Sequence, residues 1–266
     1  MATYKFEGLV TKRTNYSETD RILTIFTRDK GMVSVLAKGV RKVDSRKGGH
    51  VDLLSHTVVQ LAEGKNLYIL TEAELVDSFE GIKTSLEKMG WGYYMAEFIN
   101  EFVQEGQGSY SLFRILLMAL GHLAEADLIS SPSLTHAFEL KALSELGYAP
   151  EIRHCVNCGG ALSWGGGNGF SPALGGVVCG KCREGDCIEL SKESLELLRD
   201  LSVEPWKKIG RMRVGKRVEK DCMEDVENAL QKYVEFLLER QLESSELLKK
   251  IRAGDFDPSK IAASLD

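Results

Sequence analysis

The sequence predicts an α+β chain: an N-terminal five-stranded OB-type barrel, an α-helical domain, and a four-cysteine ribbon inserted into that domain. Three observations carry the prediction. The first eighty residues hold five short stretches rich in β-branched and aromatic side chains. From Ser85 the apolar residues recur at three- and four-residue spacing instead. Two C-x2-C pairs, Cys155/Cys158 and Cys179/Cys182, then interrupt the helical pattern. At 266 residues the chain can bury more than one core without disulfides.

The predicted strands cover residues 3–13, 22–28, 32–38, 56–63 and 66–75, each partly alternating in polarity. Arg28-Asp29-Lys30-Gly31 and Glu63-Gly64-Lys65-Asn66 have the chemistry of hairpin turns. Five strands with short turns and one longer loop suit a small, partly open barrel of the OB type. A sandwich or an SH3-like arrangement accommodates the same pattern.

The longer loop concentrates charge. Residues 39–50 gather Arg41, Lys42, Arg46 and Lys47 around one acid, Asp44, with Lys38 just before them. The chain as a whole has a formal net charge of −5. Residues 1–47 nevertheless carry eleven Lys/Arg against five Asp/Glu, a net of +6, which leaves −11 for the remainder. Binding to a polyanion follows the local field and not the total. Such a loop can follow a phosphate backbone; a solvated surface loop has the same composition.

Helical periodicity predicts helices over residues 85–103, 109–126 and 132–146, with Ser131-Pro132 opening the third and Gly147 closing it. The middle one is nearly apolar over residues 112–120, which predicts the centre of a bundle. Trp91, Tyr93, Tyr94, Phe98 and Phe102 recur at helical spacing and predict core packing. After the cysteines a helix capped by Ser191 resumes, and residues 221–242 give a long amphipathic one. Between them, residues 206–220 hold seven basic residues and one acid, including Lys207, Lys208 and Arg211, with Trp206 beside them as a candidate stacking surface. The domains expected are 1–80 for the barrel, 81–150 with 188–248 for the helical domain, 151–187 for the cysteine module, and 249–266 as a flexible tail.

Two thiolates two residues apart can face one ion, and twenty residues separate the pairs. A second knuckle then completes a tetrahedral Zn²⁺ site. Two disulfides or four independent thiols are the alternatives, and a cytosolic chain makes disulfides the poorer one. No catalytic partner stands near the cysteines, so the expectation is one closed, structural zinc ion held by Cys155, Cys158, Cys179 and Cys182. Gly180, inside the second pair, is expected at positive φ. Cys187 and Cys222 are left over; Cys187 lies near enough to the second pair to compete as a ligand, and a buried free thiol is the preferred reading for it.

The sequence offers no catalytic constellation. It lacks G-x-x-x-x-G-K-[ST], H-E-x-x-H and any H-x-E to pair with the cysteines, and Gly165-Gly166-Gly167 lies inside the ribbon. The expectation is a non-enzyme. No run of eighteen apolar residues occurs, and MATYKFEGLV lacks the form of a signal peptide, which together predict a cytoplasmic protein without a membrane span.

Four segments in this order resemble the RecO family of bacterial recombination mediators, which act in DNA repair. GLVTKRTNYSETDRILTIFTRDKG at 8–31 resembles the family's first hairpin, and VLAKGVRK at 35–42 its basic strand end. EAELVDSF at 72–79 is similar to the close of the family's barrel. ELKALSELGYAP followed by the doubled C-x2-C, over 139–182, resembles the helix-to-ribbon junction. The resemblance implies a zinc-bearing, non-enzymatic protein that binds single- and double-stranded DNA and anneals complementary strands. It further implies work with RecR and single-stranded DNA-binding protein to load RecA, with RecF a further partner. Lys38, Arg41 and Lys42 match the family's A-K-G-x-R-R stretch, with Lys42 in place of Arg, which keeps charge but loses the planar fork. With the composition of the two basic segments, the expected DNA contacts are Lys38, Arg41, Lys42, Arg46, Lys47, Lys207, Lys208 and Arg211. A zinc-ribbon adaptor for protein assembly, with DNA contact incidental, is the alternative reading.

Overall fold

The computed structural model describes residues 2–162, 167–212 and 217–255. Five strands lead the chain: β1 (Thr3–Asn15), β2 (Arg21–Thr27), β3 (Gly31–Ala37), β4 (His56–Ala62) and β5 (Tyr68–Asp77). Each coincides with a strand the alternation predicts. They close into a barrel in the order β1-β2-β3-β5-β4, which excludes a sandwich. All seams are antiparallel except β3–β5, which joins in parallel through only Val35↔Tyr68 and Leu36↔Ile69. Closure is therefore weakest there, as a partly open barrel requires. Its interior is filled by alternate residues: Leu23 and Ile25 from β2, Val33, Val35 and Ala37 from β3, Val59 and Leu61 from β4.

The helices are α1 (Glu80–Lys83), α2 (Leu86–Phe102), α3 (Tyr110–Glu125) and α4 (Ser131–Glu145), followed after the cysteine module by α5 (Lys192–Val203), α6 (Trp206–Ile209), α7 (Arg217–Leu238) and α8 (Glu243–Ala253). Ser85 and Ser191 cap α2 and α5, accepting from the backbone N–H of Lys88 and Ser194. The cap of α4 is Ser130, so Ser131 and Pro132 lie one step inside the helix. Helix α3 is two-sided and not a bundle centre. Leu112, Phe113, Leu116, Ala119 and Leu120 are buried, while Arg114 and Met118 are exposed.

The chain forms two compact units, Met1–Leu117 with Glu243–Asp266, and Met118–Leu242. In the first, α2 lies on the barrel: Thr11 Oγ1 donates to Asn100 Oδ1 at 2.6 Å, and Asn100 Nδ2 donates to Thr11 O at 3.2 Å. Helix α8 returns to the same unit and packs on α2, so ordered structure continues to Ala253, past the expected start of the tail at 249. Residues 256–266 of that tail lie outside the described residues.

Two features of α2 admit α8. A Cβ at Gly90 would meet Leu248 Cδ2 at 2.7 Å, so any larger residue there would force the Leu248 side chain to shift. Glu97 supplies the cap that α8 lacks: Oε1 accepts from Glu243 N at 2.9 Å, and Oε2 from Ser244 N at 2.8 Å. A carboxylate thus satisfies two orphan donors at the positive end of the helix. In the second unit, β6 (Asn168–Ser171), β7 (Gly176–Val178) and β8 (Ile188–Leu190) form a small sheet in the order β7-β6-β8 that carries the cysteines.

Candidate metal centre and cationic surface

The cysteine module is built on β7. Val156 N donates to Val177 O at 2.8 Å, and Val177 N to Glu151 O at 2.7 Å, which lays the first knuckle beside the strand. The strand then runs directly into Cys179. The first turn closes through Gly159 N to Cys155 O at 2.8 Å and Cys155 N to Gly160 O at 2.9 Å. The second closes through Cys182 N to Cys179 O at 2.9 Å. Positive φ falls at Gly159, at 69°, and not at Gly180. The second turn closes over three residues without a left-handed step inside it, whereas the chain leaving Cys158 must reverse.

The ligand atoms of Cys155, Cys158, Cys179 and Cys182 all lie within 4.8 Å of one another, a group that can hold a metal ion. Cys158 Sγ and Cys179 Sγ are 3.9 Å apart. Burial raises the Cys155 thiol, but the N–H groups of Cys179, Cys158 and Asn157 outweigh it and bring it down to about 6. Hydrogen bonding to Cys158 and Cys179, with burial, pushes Cys182 up to about 12. One thiolate forms readily while another is strongly opposed, and a cation in their midst reverses that opposition. Cys155 and Cys179 are buried, Cys182 is half-buried and Cys158 exposed. All four thiols are free, which disposes of the two-disulfide alternative. Cys187 is half-buried, not buried, and donates to Glu184 O at 3.2 Å outside the group. Cys222 is buried.

The first basic segment links β3 to β4. Its ends are pinned, since Val40 and Val51 are 4% and 2% exposed and belong to the barrel core. Burying each is worth about 1.5–3 kcal/mol. Between these anchors Arg41, Lys42 and Arg46 are exposed, as is Lys38 just before them. Neither Lys42 nor Arg46 has a carboxylate within ion-pairing distance among the described residues. Lys47 is half-buried and donates to Leu70 O at 3.2 Å, so its charge lies against the barrel wall.

A second loop, between β1 and β2, fixes this one. Gly39 N donates to Asp20 Oδ1 at 2.8 Å, Arg41 N to Thr19 O at 3.0 Å, and the Arg41 guanidinium to Ser17 O at 3.1 Å. The Gly39 N–H, then the Thr19 hydroxyl, hold the Asp20 carboxyl below the usual carboxylate range. Sequence reasoning missed Ser17, Thr19 and Asp20 in this role. Their only signal is the S-x-T-D turn composition, which says nothing about a partner loop.

The second basic segment belongs to the other unit. Lys207, Lys208 and Arg211 are exposed, and Lys208 pairs with Glu204 at 2.6 Å. Trp206 is half-buried, stacked on His122 at 6.4 Å with the Lys141 ammonium 5.6 Å from its ring centroid, so its ring already serves packing. Residues 213–216, with Arg213 and Lys216, lie outside the described residues, as do the side chains of Arg217 and Lys220. Among the described residues no helix is long and apolar enough to cross a membrane.

Fold and site together define a modular protein: an OB-type barrel with a clasped cationic loop, joined to a helical unit bearing a four-cysteine module able to hold a metal ion. Comparison with known proteins resolves that class into a family. The description "Recombination protein O N terminal" matches residues 1–79, and "Recombination protein O C terminal" matches residues 83–246. The chain belongs to this family, as the resemblance of its four segments implies. The protein of Roseiflexus sp. (strain RS-1) named DNA repair protein RecO is 35% identical over 252 residues, spanning 94% of this chain and 86% of its own length. Those so named from Pelotomaculum thermopropionicum and Symbiobacterium thermophilum are 35% and 33% identical, covering 94% and 96% of this chain and 95% and 100% of theirs.

Proposed function

We propose that this protein is a non-enzymatic mediator of DNA repair and homologous recombination in the cytoplasm. It binds single- and double-stranded DNA, anneals complementary strands, and acts with RecR and single-stranded DNA-binding protein to load RecA, with RecF a further partner. The observation that carries the reading is the clasped loop, which exposes Lys38, Arg41, Lys42 and Arg46 on a chain of net charge −5. Phosphate contacts release counterions and carry no sequence information, as a protein handling any strand requires. Lys207, Lys208 and Arg211 supply further phosphate contacts, which annealing uses when a second strand must be accommodated.

The metal is one structural zinc held by Cys155, Cys158, Cys179 and Cys182. Tetrahedral Zn²⁺ with Zn–S near 2.3 Å separates its sulfurs by about 3.8 Å, and the 3.9 Å between Cys158 and Cys179 supports that choice. Four protein donors leave no open position for substrate, so the ion's contribution is to the stability of the module.

Titration with a single-stranded oligonucleotide across a salt series tests the reading. Binding should be about micromolar or tighter at low salt and weaken steeply as salt rises. Absence of binding at low salt would exclude it and leave the assembly adaptor.

A further inference from the structure

The turn that clasps the cationic loop also carries Tyr16, which at 63% exposure is the most exposed aromatic side chain among the described residues. Its position is not a loose end of the chain. Tyr16 N and Ser17 N both donate to Asp20 O, at 3.1 and 3.4 Å, and Asp20 N donates to Ser17 Oγ at 3.2 Å. Ser17, the next residue, receives the Arg41 guanidinium on its carbonyl at 3.1 Å. The hydrogen bonds that orient Arg41 therefore also fix the backbone from which the phenol projects.

We propose that Tyr16 is a base-stacking platform for single-stranded nucleic acid whose phosphates lie along Lys38, Arg41 and Lys42. The proposal rests on the DNA-binding reading of the same loop. An exposed ring on the same turn that holds Arg41 matches a polymer that alternates flat bases with anionic phosphates. Every base offers a π-face, so stacking holds a strand without reading its sequence. A duplex keeps its base faces stacked inside and presents mainly phosphates to such a surface. Tyr16 thus favours single strands, while the cations serve both forms.

The test compares three ligands of equal length, namely oligo-dT, an abasic sugar-phosphate strand and a duplex. Tyr16→Ala should weaken oligo-dT binding roughly 5- to 100-fold. Its affinity for the abasic strand and the duplex should match wild type, and its salt slope should be unchanged because every cation that neutralises a phosphate is still present. Tyr16→Trp should restore oligo-dT binding. Because backbone groups and Asp20 hold the turn, the melting temperature of Tyr16→Ala should equal that of wild type. Wild-type affinity of Tyr16→Ala for oligo-dT, or an equal loss on the abasic strand, would overturn the proposal. The double variant Arg41→Ala/Lys42→Ala, titrated on the abasic strand, separates the two readings. If it binds more weakly while Tyr16→Ala is silent on oligo-dT, stacking alone fails; if neither changes anything, the cationic loop fails with it.

Discussion

In the cysteine module the four sulfur atoms lie within 4.8 Å of one another, whereas the barrel loop spreads exposed Lys38, Arg41, Lys42 and Arg46 along its length. The first site depends on stereochemistry, and moving any one ligand breaks it. The second depends on a summed field, and each charge contributes a part. Both are carried by a tethered turn, one stitched to β7 and the other clasped to the β1–β2 loop. On the proposed reading, similar scaffolding supports all-or-none coordination in one unit and graded attraction in the other.

Removal of a single sulfur ligand puts this contrast under the greatest stress. Cys155→Ser should release the metal and unfold the module, forfeiting much of the ~10 kcal/mol that structural zinc contributes to such units. Metal analysis and thermal melting of the purified variant check this. A fully metallated, equally stable variant would show that coordination is not all-or-none.

Smaller losses are expected where packing holds an element. Leu248→Ala should cost about 2–4 kcal/mol, because the cavity opens where α8 meets Gly90. Glu97→Ala, which strips the cap from α8, should cost about 1–2 kcal/mol. Chemical denaturation of both variants, with hydrogen exchange over 243–253, tests the order. Equal protection in variant and wild type would mean that α8 does not depend on α2.

The smallest effect belongs to the clasp. The Asp20 carboxyl is lowered in the folded chain, so its contribution is complete above the ordinary value of 3.8 and is lost as pH falls through the lower folded value. The Gly39 amide resonance should therefore titrate with a midpoint below 3.8. A midpoint above that value would mean the carboxylate does not hold the loop.

How legible these features are in sequence follows from the same physics. The strands show because one face of each is buried and alternation is unavoidable, as in Leu23/Ile25 and Val33/Val35. The cysteines show because coordination tolerates only particular spacings. Helix α8 does not, because its cap and its contact surface come from far away. Glu97 lies 146 residues from Glu243, and Gly90 reads locally as a weak point in α2 and not as a socket. The clasp is invisible for the same reason, since Asp20 and Gly39 meet only after two strands have paired. Exposure of Lys42 and withdrawal of Lys47 are likewise set by whether a barrel carbonyl, here that of Leu70, is within reach.

If the clasped barrel loop engages nucleic acid through its phosphates, neutralising its cations must change how binding responds to salt. The decisive comparison is the salt dependence of single-strand binding by Arg41→Ala/Lys42→Ala beside wild type. The slope of log affinity against log salt should become shallower by roughly 0.7 for each phosphate left without its cation, so by about 1.4 if each residue neutralises one. Affinity at low salt should fall whatever the oligonucleotide sequence. An unchanged slope and wild-type affinity would refute this role for the loop and move the interface to the basic segment at 206–220.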